Sequence, residues 1–301
     1  MTENTRLAEK SSLAPSLAVL LTCYNRREQT CECLAALHQQ GTRFDVYLVD
    51  DGSTDGTTAA VNRQFPQVNV IQGSGSLFWG GGMHLAFAEA LKADYDYYLW
   101  LNDDTILRPD AFADLLACHA ELAAQNRANA IVVGSTQDPL TGEPTYGGAI
   151  RTRKWYSNKF EFVPSGDRLS ECETMYGNCV LIPREVANVV GNIDKSFVHS
   201  LGDLDYGLRA QQQGCSVWLA PGYIGQCAQN SVSGSWVDTR LTLLERFKKV
   251  LGVKGFPLRP WTTFVRRHSG PFWFAYWGLP YVRAVIGYRD LAASPTFTEE
   301  R

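Results

Sequence analysis

Residues 45–55 read DVYLVDDGSTD, an apolar run that ends in two adjacent carboxylates and a turn of small polar residues. Residues 97–105 repeat this arrangement as YYLWLNDDT. Short runs of β-branched and aromatic residues predict buried strands. The acidic clusters then lie at the carboxyl ends of two strands, where open α/β sheets bind ligands. Because clustered carboxylates repel one another unless a positive charge is shared, we predict a divalent cation with a diphosphate beyond it, and hence nucleotide chemistry.

The composition is that of a soluble globular protein. The chain has 301 residues, of which 45% are hydrophobic and 20% are charged, enough for one large domain or a domain with an appendage. The polar first 16 residues predict no secretory signal, and no long apolar run predicts a membrane-spanning helix. The eight scattered cysteines are then expected to be reduced thiols of a cytoplasmic protein, not zinc ligands.

Strand and helix patterns alternate through the first half of the chain. Strands are predicted at 17–22, 45–50, 68–71 and 97–101. Helices are predicted at 27–40, 83–92 and 110–125, and a further helix after the 51–55 turn is predicted to end at residue 65. The glycine-rich segment 73–82 is predicted to be a loop that opens the third helix. This alternation is typical of a parallel sheet of βαβ units. The second half is less regular, with strands expected at 131–134, 175–183 and 216–220 and a helix at 203–213.

The C-terminal segment 236–290 differs in charge from the rest. It holds ten basic and three acidic residues, interleaved with tryptophan, tyrosine and phenylalanine. Basic residues among aromatics favour a surface that meets an anionic membrane. A helical subdomain with buried aromatics and solvated arginines is an equally good interpretation. Helices broken by glycine and proline are predicted in this segment at 241–251 and 280–291. A nucleic-acid partner is not favoured.

Four motifs in order carry a resemblance to a known family: residues 21–26 (LTCYNR), 49–55 (VDDGSTD), 101–104 (LNDD) and 201–209 (LGDLDYGLR). The chain resembles the inverting glycosyltransferases of family two, which have the GT-A fold, over roughly 16–230. Within that family it looks nearest to bacterial rhamnosyl- and galactofuranosyltransferases that build surface polysaccharides such as lipopolysaccharide.

The resemblance implies an α/β fold with a mostly parallel central sheet flanked by helices and a small, mainly helical C-terminal appendage. It implies a disordered N-terminus at 1–15, a GT-A domain at 16–235 and the basic aromatic segment at 236–301. The GT-A domain would divide into a nucleotide-sugar half at 16–110 and an acceptor half at 111–235.

Several side chains are expected to bind the nucleotide sugar. The Asp51 carboxylate could accept the imide N–H of uracil or thymine, while Trp79 could stack on a sugar. The residues assigned to the donor are Thr22, Tyr24, Arg26, Asp51, Trp79, Gly81 and Asp103. The alternative for the 51–55 cluster is ordinary turn chemistry, and Trp79 could simply pack against the protein.

The resemblance also implies a divalent cation, Mg²⁺ or Mn²⁺, held by Asp104 and assisted by Asn102 and Asp103. The family motif is an Asp-any-Asp triplet, and Asn102 in its first place removes one negative charge. Many metal-dependent relatives carry a histidine about six residues after a proline in the following strand. Counting from Pro221 gives Cys227 at that place, which counts against the metal because a thiolate suits Mg²⁺ poorly.

The general base is expected to be Asp203, at the start of a predicted helix whose N-terminus should keep it ionised. Asp205 would bind acceptor hydroxyls or orient a neighbouring residue, and Asn178 would line the acceptor side. An N-cap role for Asp203 and a core role for the strand of Asn178 remain alternatives.

These expectations describe an inverting glycosyltransferase that moves a sugar from a UDP- or dTDP-sugar to a saccharide or polyprenyl-linked acceptor. It would be cytoplasmic and peripheral on the inner face of the plasma membrane. The main alternative is a membrane-associated nucleotide-sugar-binding protein with a degenerate site. A sugar-phosphate nucleotidylyltransferase would need a Gly-rich N-terminal loop followed by Arg and Lys, and a phospho-acceptor domain would need a lysine at a later strand end. We find neither.

Overall fold

The computed structural model describes residues 15–152, 158–229 and 240–286. The chain divides into two compact units, Met1–Gln229 and Asn230–Arg301, which are described separately. Residues 1–14 of the expected disordered N-terminus, and Trp236 of the basic aromatic segment, lie outside the described residues.

The first unit is built on a sheet of ten strands and a smaller sheet of three. The strands are β1 Leu17–Cys23, β2 Asp45–Asp50, β3 Asn69–Gln72, β4 Tyr97–Leu101, β5 Ile106–Leu107, β6 Ala130–Gln137, β7 Pro144–Tyr146, β8 Gly148–Arg151, β9 Phe160–Phe162, β10 Ser170–Cys172, β11 Thr174–Met175, β12 Cys179–Pro183 and β13 Ser216–Gln226. The large sheet has the order β10-β13-β6-β12-β4-β1-β2-β3, with β5 on β13 and β7 on β6; the small one is β11-β8-β9.

Six α-helices flank these sheets in the described part of the first unit. They are α1 Arg27–Leu37, α2 Thr57–Gln64, α3 Phe78–Ala90, α4 Ala111–Ala124, α5 Arg184–Val190 and α6 Gly202–Gln212, and a single 3₁₀ turn, Leu91–Ala93, follows α3. The predicted βαβ alternation is thus present from β1 to α4.

Strand β1 is the centre of the parallel half of the sheet. All seven of its residues are buried, because apolar residues occupy both of its faces. It pairs in parallel with β2, with Cys23 opposite Asp50, and in parallel with β4. The carboxyl ends of β1, β2 and β4 therefore meet at one edge, which brings the two acidic clusters together as predicted. Beyond β4 the sheet is mixed, because β12 runs antiparallel to both β4 and β6.

Two apolar layers cover the faces of β1. Its odd-numbered residues pack with Leu34, Leu37 and Phe112 of α1 and α4, and its even-numbered residues pack with Phe87 and Trp100. Side chains alternate across a strand, so one strand serves both layers. Each fully buried side chain of this size contributes roughly 1.5–3 kcal/mol, and together they fix the edge on which the polar residues stand.

The glycine-rich segment was wrongly predicted to be a loop up to residue 82. Helix α3 begins at Phe78, so three consecutive glycines form its first turns. A Cβ on Gly80 would overlap the carbonyl oxygen of Phe197, and one on Gly82 would lie 2.7 Å from Cβ of Thr22. These glycines are needed for close packing of the helix, which a sequence pattern does not distinguish from loop flexibility.

The prediction of a single strand at 175–183 is also wrong. It is two strands, β11 and β12, separated by residues 176–178. The break occurs because the N–H of Gly177 donates to the carboxylate of Asp203, 3.0 Å away. Strand β13 runs to Gln226, past its predicted end at residue 220, with register shifts against β6 after Leu219.

The second unit contains α7 Leu243–Leu251, α8 Leu258–His268 and α9 Trp273–Ile286. Helix α7 begins at a capping box in which Thr242 and Glu245 bind each other's backbone N–H. Helix α8 was not predicted, since its prolines suggested a break; Pro260 stands in its first turn, where a missing N–H costs nothing. Helix α9 begins seven residues before the predicted start at Pro280, and the predicted end at residue 291 lies outside the described residues.

Aromatic side chains hold this helical unit together. The indole N–H of Trp261 donates to the carbonyl of Trp277, and the Trp277 N–H donates to Thr262. Among the described helices, none combines the length and apolar content needed to cross a membrane.

Candidate active site

The carboxylates at the end of β2 accept hydrogen bonds from backbone N–H groups. Asp50 accepts the N–H of Ser53 at 2.8 Å, and Asp51 accepts those of Gly75 at 2.8 Å and Phe78 at 2.9 Å. Asp51 is only 4% exposed, with both oxygens engaged. In this arrangement Asp51 fixes the start of α3, and its expected contact with a nucleotide base stays a prediction.

Arg26 is the positive charge shared by the second acidic cluster. Its NH1 nitrogen lies 3.2 Å from Asp103 Oδ1 and 2.6 Å from Asp104 Oδ2. Burial alone would lower the pKa of Arg26, but the two carboxylates outweigh it and raise that pKa. Burial raises the pKa of Asp103 to about 7, against the opposing effect of Arg26.

Asn102 is oriented by Trp79. The indole N–H of Trp79 donates to the side-chain oxygen of Asn102 over 2.8 Å. Because an indole nitrogen only donates, this bond fixes which end of the amide faces the ring. The carbonyl oxygen expected to bind a cation is thus already an acceptor within the protein.

Cys227 occupies the place that the sequence count gave it. Its Sγ lies 3.5 Å from Asp104 Oδ1, and Asn178 Nδ2 donates to the same sulfur at 3.4 Å. Burial, and then the charge of Asp104, raise the pKa of the Cys227 thiol to about 12. Sulfur is a soft ligand, whereas Mg²⁺ and Mn²⁺ prefer oxygen.

These residues fit a divalent cation poorly. Of the expected ligands, Asn102 is neutral, and Asp103 and Asp104 are both paired with Arg26. Among the described residues, no cluster of three or more His, Cys, Asp and Glu side chains has metal-binding geometry. A cation at Asp104 would have to displace the guanidinium.

Asp203 stands at the second residue of α6. Its Oδ1 accepts the N–H of Leu204 at 2.8 Å, and its Oδ2 accepts that of Gly177 at 3.0 Å. Burial raises the pKa of Asp203 above its usual range, although these backbone N–H groups oppose the shift. The helix N-terminus was expected to favour the ionised form, but the net effect of burial is to raise the pKa.

Trp79 and Gly177 join the two parts of the site. A Cβ on Gly177 would lie 2.6 Å from Cη2 of Trp79, so the ring packs directly on this glycine. The same Trp79 holds Asn102, and the same Gly177 holds Asp203. The acidic edge of the sheet and the carboxylate of α6 therefore flank one tryptophan. The sequence indicated residues 176–179 as a possible part of the acceptor side, but it did not indicate that Gly177 contacts Trp79 and Asp203.

Comparison with known proteins shows the family to which the chain belongs. The family model described as glycosyl transferase family 2 matches residues 18–191, more than half of the chain. The chain belongs to glycosyl transferase family 2. It is 24% identical over 224 residues to the N-acetylglucosaminyl-diphospho-decaprenol L-rhamnosyltransferase of Mycobacterium tuberculosis, with 68% of this chain and 72% of the relative covered. This glycosyltransferase is thus related to a lipid-linked rhamnosyltransferase, as the motifs suggested.

Solved structures share the fold. The mannosyltransferase PcManGT from Pyrobaculum calidifontis, in complex with GDP-Man and Mn²⁺, has a TM-score of 0.52 at 16% identity and covers 91% of this chain and 73% of its own. TarS 1–349 of S. aureus has a TM-score of 0.52 at 14% identity and covers 90% and 81%. The predicted GT-A fold is confirmed.

Of the other residues expected at the glycosyltransferase site, some are bonded within the protein and others lie near the edge of the sheet. Asp205 is fully buried and paired with Arg209 at 2.8 Å, so it cannot contact an acceptor as expected. The N–H of Gly81 donates to carbonyls of Leu77 and Val198 and is not free for a donor phosphate. Three further expected residues remain near the edge of the sheet: Thr22 and Asn178, which are largely buried, and Tyr24, which is exposed.

The raised pKa of Asp203 has a kinetic consequence. A carboxylate base works only when deprotonated, so the rate should fall as the pH falls through its pKa. Because burial raises that pKa, we expect the acid limb of kcat above the ordinary aspartate range of about 4. Nucleotide affinity measured at each pH is the control for titration of the donor site. A limb at or below pH 4 would contradict the assignment.

Proposed function

We propose that this glycosyltransferase moves a sugar from a UDP- or dTDP-sugar to a saccharide or polyprenyl-linked acceptor, with inversion, in the synthesis of a bacterial surface polysaccharide. The observation that carries the proposal is the position of Asp203 across Trp79 from the acidic edge of the sheet. A base on one side and diphosphate-binding groups on the other are what in-line displacement at an anomeric carbon requires.

In this proposal Asp203 acts as the general base. It takes the proton from the acceptor hydroxyl as the hydroxyl oxygen forms its bond to the anomeric carbon. The bond from that carbon to the phosphate oxygen breaks, and the nucleoside diphosphate leaves with the electron pair. Displacement from the opposite face inverts the carbon. The Trp79 ring, packed between Asn102 and Gly177, is the surface on which the sugar would lie.

The acceptor proposal draws on the mycobacterial relative, whose name specifies a diphospho-decaprenol-linked substrate. A polyprenyl-linked acceptor would be presented at a membrane surface. We therefore propose that the second unit makes the enzyme peripheral at the cytoplasmic face of the membrane.

Helix α7 offers the surface for this contact. Four apolar side chains share one exposed stripe, and Leu244 at 65% is the most exposed of them: Leu243, Leu244, Phe247 and Leu251. The exposed Lys248 adjoins the stripe. An apolar face with a lysine beside it is typical of helices that lie in the plane of an anionic membrane.

Replacing Leu244 and Phe247 together by glutamate should lower binding to phosphatidylglycerol vesicles at least about tenfold, because apolar contact is lost and repulsion is added. Vesicle co-sedimentation of the full chain measures this. The matched control replaces the exposed Leu140 and Val189 of the first unit by glutamate and should bind as wild type. Equal binding of both double variants would refute the role of α7.

The activity is tested by incubating the enzyme with UDP- and dTDP-sugars and polyprenyl-diphosphate-linked acceptors. We expect acceptor-dependent release of UDP or dTDP and a product whose anomeric configuration, read by NMR, is opposite to that of the donor. Nucleotide binding without turnover on any acceptor would favour the alternative of a binding protein. A product with retained configuration would overturn the mechanism.

A further inference from the structure

We propose that Arg26 and Asn102 bind the donor diphosphate directly, through N–H groups, and that no divalent cation is needed for this binding. The inference rests on the proposed use of a nucleoside diphosphate sugar. It concerns Asn102, Asp104 and Cys227, the positions at which metal-dependent relatives are expected to hold their cation. Asn102 and Cys227 carry groups poorly suited to that task, and Asp104 is paired with Arg26.

The first observation is the place of Arg26. Its NH1 nitrogen contacts both Asp103 and Asp104, so the carboxylates at the end of β4 already have a counter-charge. A guanidinium has five N–H donors, and Nε and NH2 remain beyond the NH1 contacts. With its side chain 42% exposed, Arg26 is accessible to a ligand. Arginine binds phosphate in a bidentate manner, which makes it a direct partner for a diphosphate.

The second observation is the orientation of Asn102. Its oxygen accepts the indole N–H of Trp79, so its Nδ2 amino group forms the opposite end of the amide. That end donates hydrogen bonds and cannot ligate a cation. A phosphate oxygen is the complementary acceptor. Asn102 is therefore suited to bind the leaving group itself.

The third observation is the position of Cys227. The thiol lies 3.5 Å from the Asp104 carboxylate, on its Oδ1 side, while Arg26 occupies Oδ2. Both oxygens of Asp104 thus face hydrogen-bond donors of the protein. A cation bound there would have to compete with a guanidinium 2.6 Å from one of them.

Titration calorimetry of the full chain with UDP and with dTDP, in EDTA and in Mn²⁺, tests the proposal. We expect the affinity of the nucleotide that binds to agree within about threefold between the two buffers. Binding that requires Mn²⁺ would overturn the inference and leave the proposed function standing. Failure of both nucleotides to bind in either buffer would overturn both.

Two variants make the test specific. In EDTA, Arg26→Gln should weaken nucleotide binding at least about tenfold, because a charged hydrogen bond to phosphate is lost. The control Arg27→Gln removes a neighbouring, half-exposed arginine paired with Glu28 and should leave affinity unchanged. Asn102→Asp should also weaken binding in EDTA, because it replaces the donor by a negative charge, and Mn²⁺ should restore part of the loss. Wild-type affinity of both site variants in EDTA would refute the proposal.

Discussion

Replacing Asp203 by asparagine is expected to lower kcat by about 10²- to 10⁴-fold, the range that general base catalysis supplies. The affinity for UDP and dTDP should remain that of the wild type, because the change is nearly isosteric and Asp203 lies across Trp79 from the nucleotide edge. The amide keeps one of the oxygens that accept the N–H groups of Gly177 and Leu204. It cannot take a proton from the acceptor at neutral pH.

The measurement is kcat for sugar transfer together with calorimetric nucleotide affinity. Asp138→Asn is a matched control, since Asp138 also accepts two backbone N–H groups, from Leu140 and Thr141. It should retain wild-type kcat. If Asp203→Asn transferred sugar as fast as this control, Asp203 would be only the cap of α6. A parallel loss of nucleotide affinity would instead indicate a general distortion of the site.

The parallel half of the fold was predictable because its strands are buried on both faces and end in polar clusters. The ends of β1, β2 and β4 follow from their apolar runs, and their meeting at one edge follows from the parallel pairing. The sequence count placed Cys227 at the position of the family histidine, and its sulfur lies 3.5 Å from Asp104. The sequence did not indicate that the Arg26 guanidinium pairs with both Asp103 and Asp104, because the partners are far apart in the chain.

Carboxylates that are hydrogen-bonded within the protein were hard to recognise from the sequence. Asp51 accepts backbone N–H groups 24 and 27 residues away in the chain, and Asp205 pairs with Arg209, four residues further on. An acidic motif does not by itself distinguish a buried carboxylate with protein partners from one offered to a ligand. Within the described part of the chain, the hydrogen bonds of Asp203 come from backbone N–H groups, and its side chain is half-buried. Its role as the general base therefore stays a proposal.

The packing of α3 on the segment before α6 leads to a second prediction of large effect. A Cβ added to Gly80 would overlap the carbonyl oxygen of Phe197 and would lie 2.9 Å from the carbonyl oxygen of Val198. Gly80→Ala should therefore lower the free energy of unfolding by about 2 kcal/mol or more, because backbone atoms cannot yield as a side chain can. The corresponding fall in Tm is roughly 4–8 °C, measurable by calorimetry.

Gly166→Ala is the control in the same unit, since a Cβ there meets nothing within 4 Å; it should be neutral or slightly stabilising. Gly80 directly follows Trp79, and the N–H of Gly81 donates to Val198. Separating these segments would move the Trp79 ring away from Gly177, and with it the surface between Asn102 and Asp203. We therefore expect Gly80→Ala to lose transfer activity even well below its Tm. Wild-type activity in a destabilised variant would mean that the Trp79 contact does not position the base.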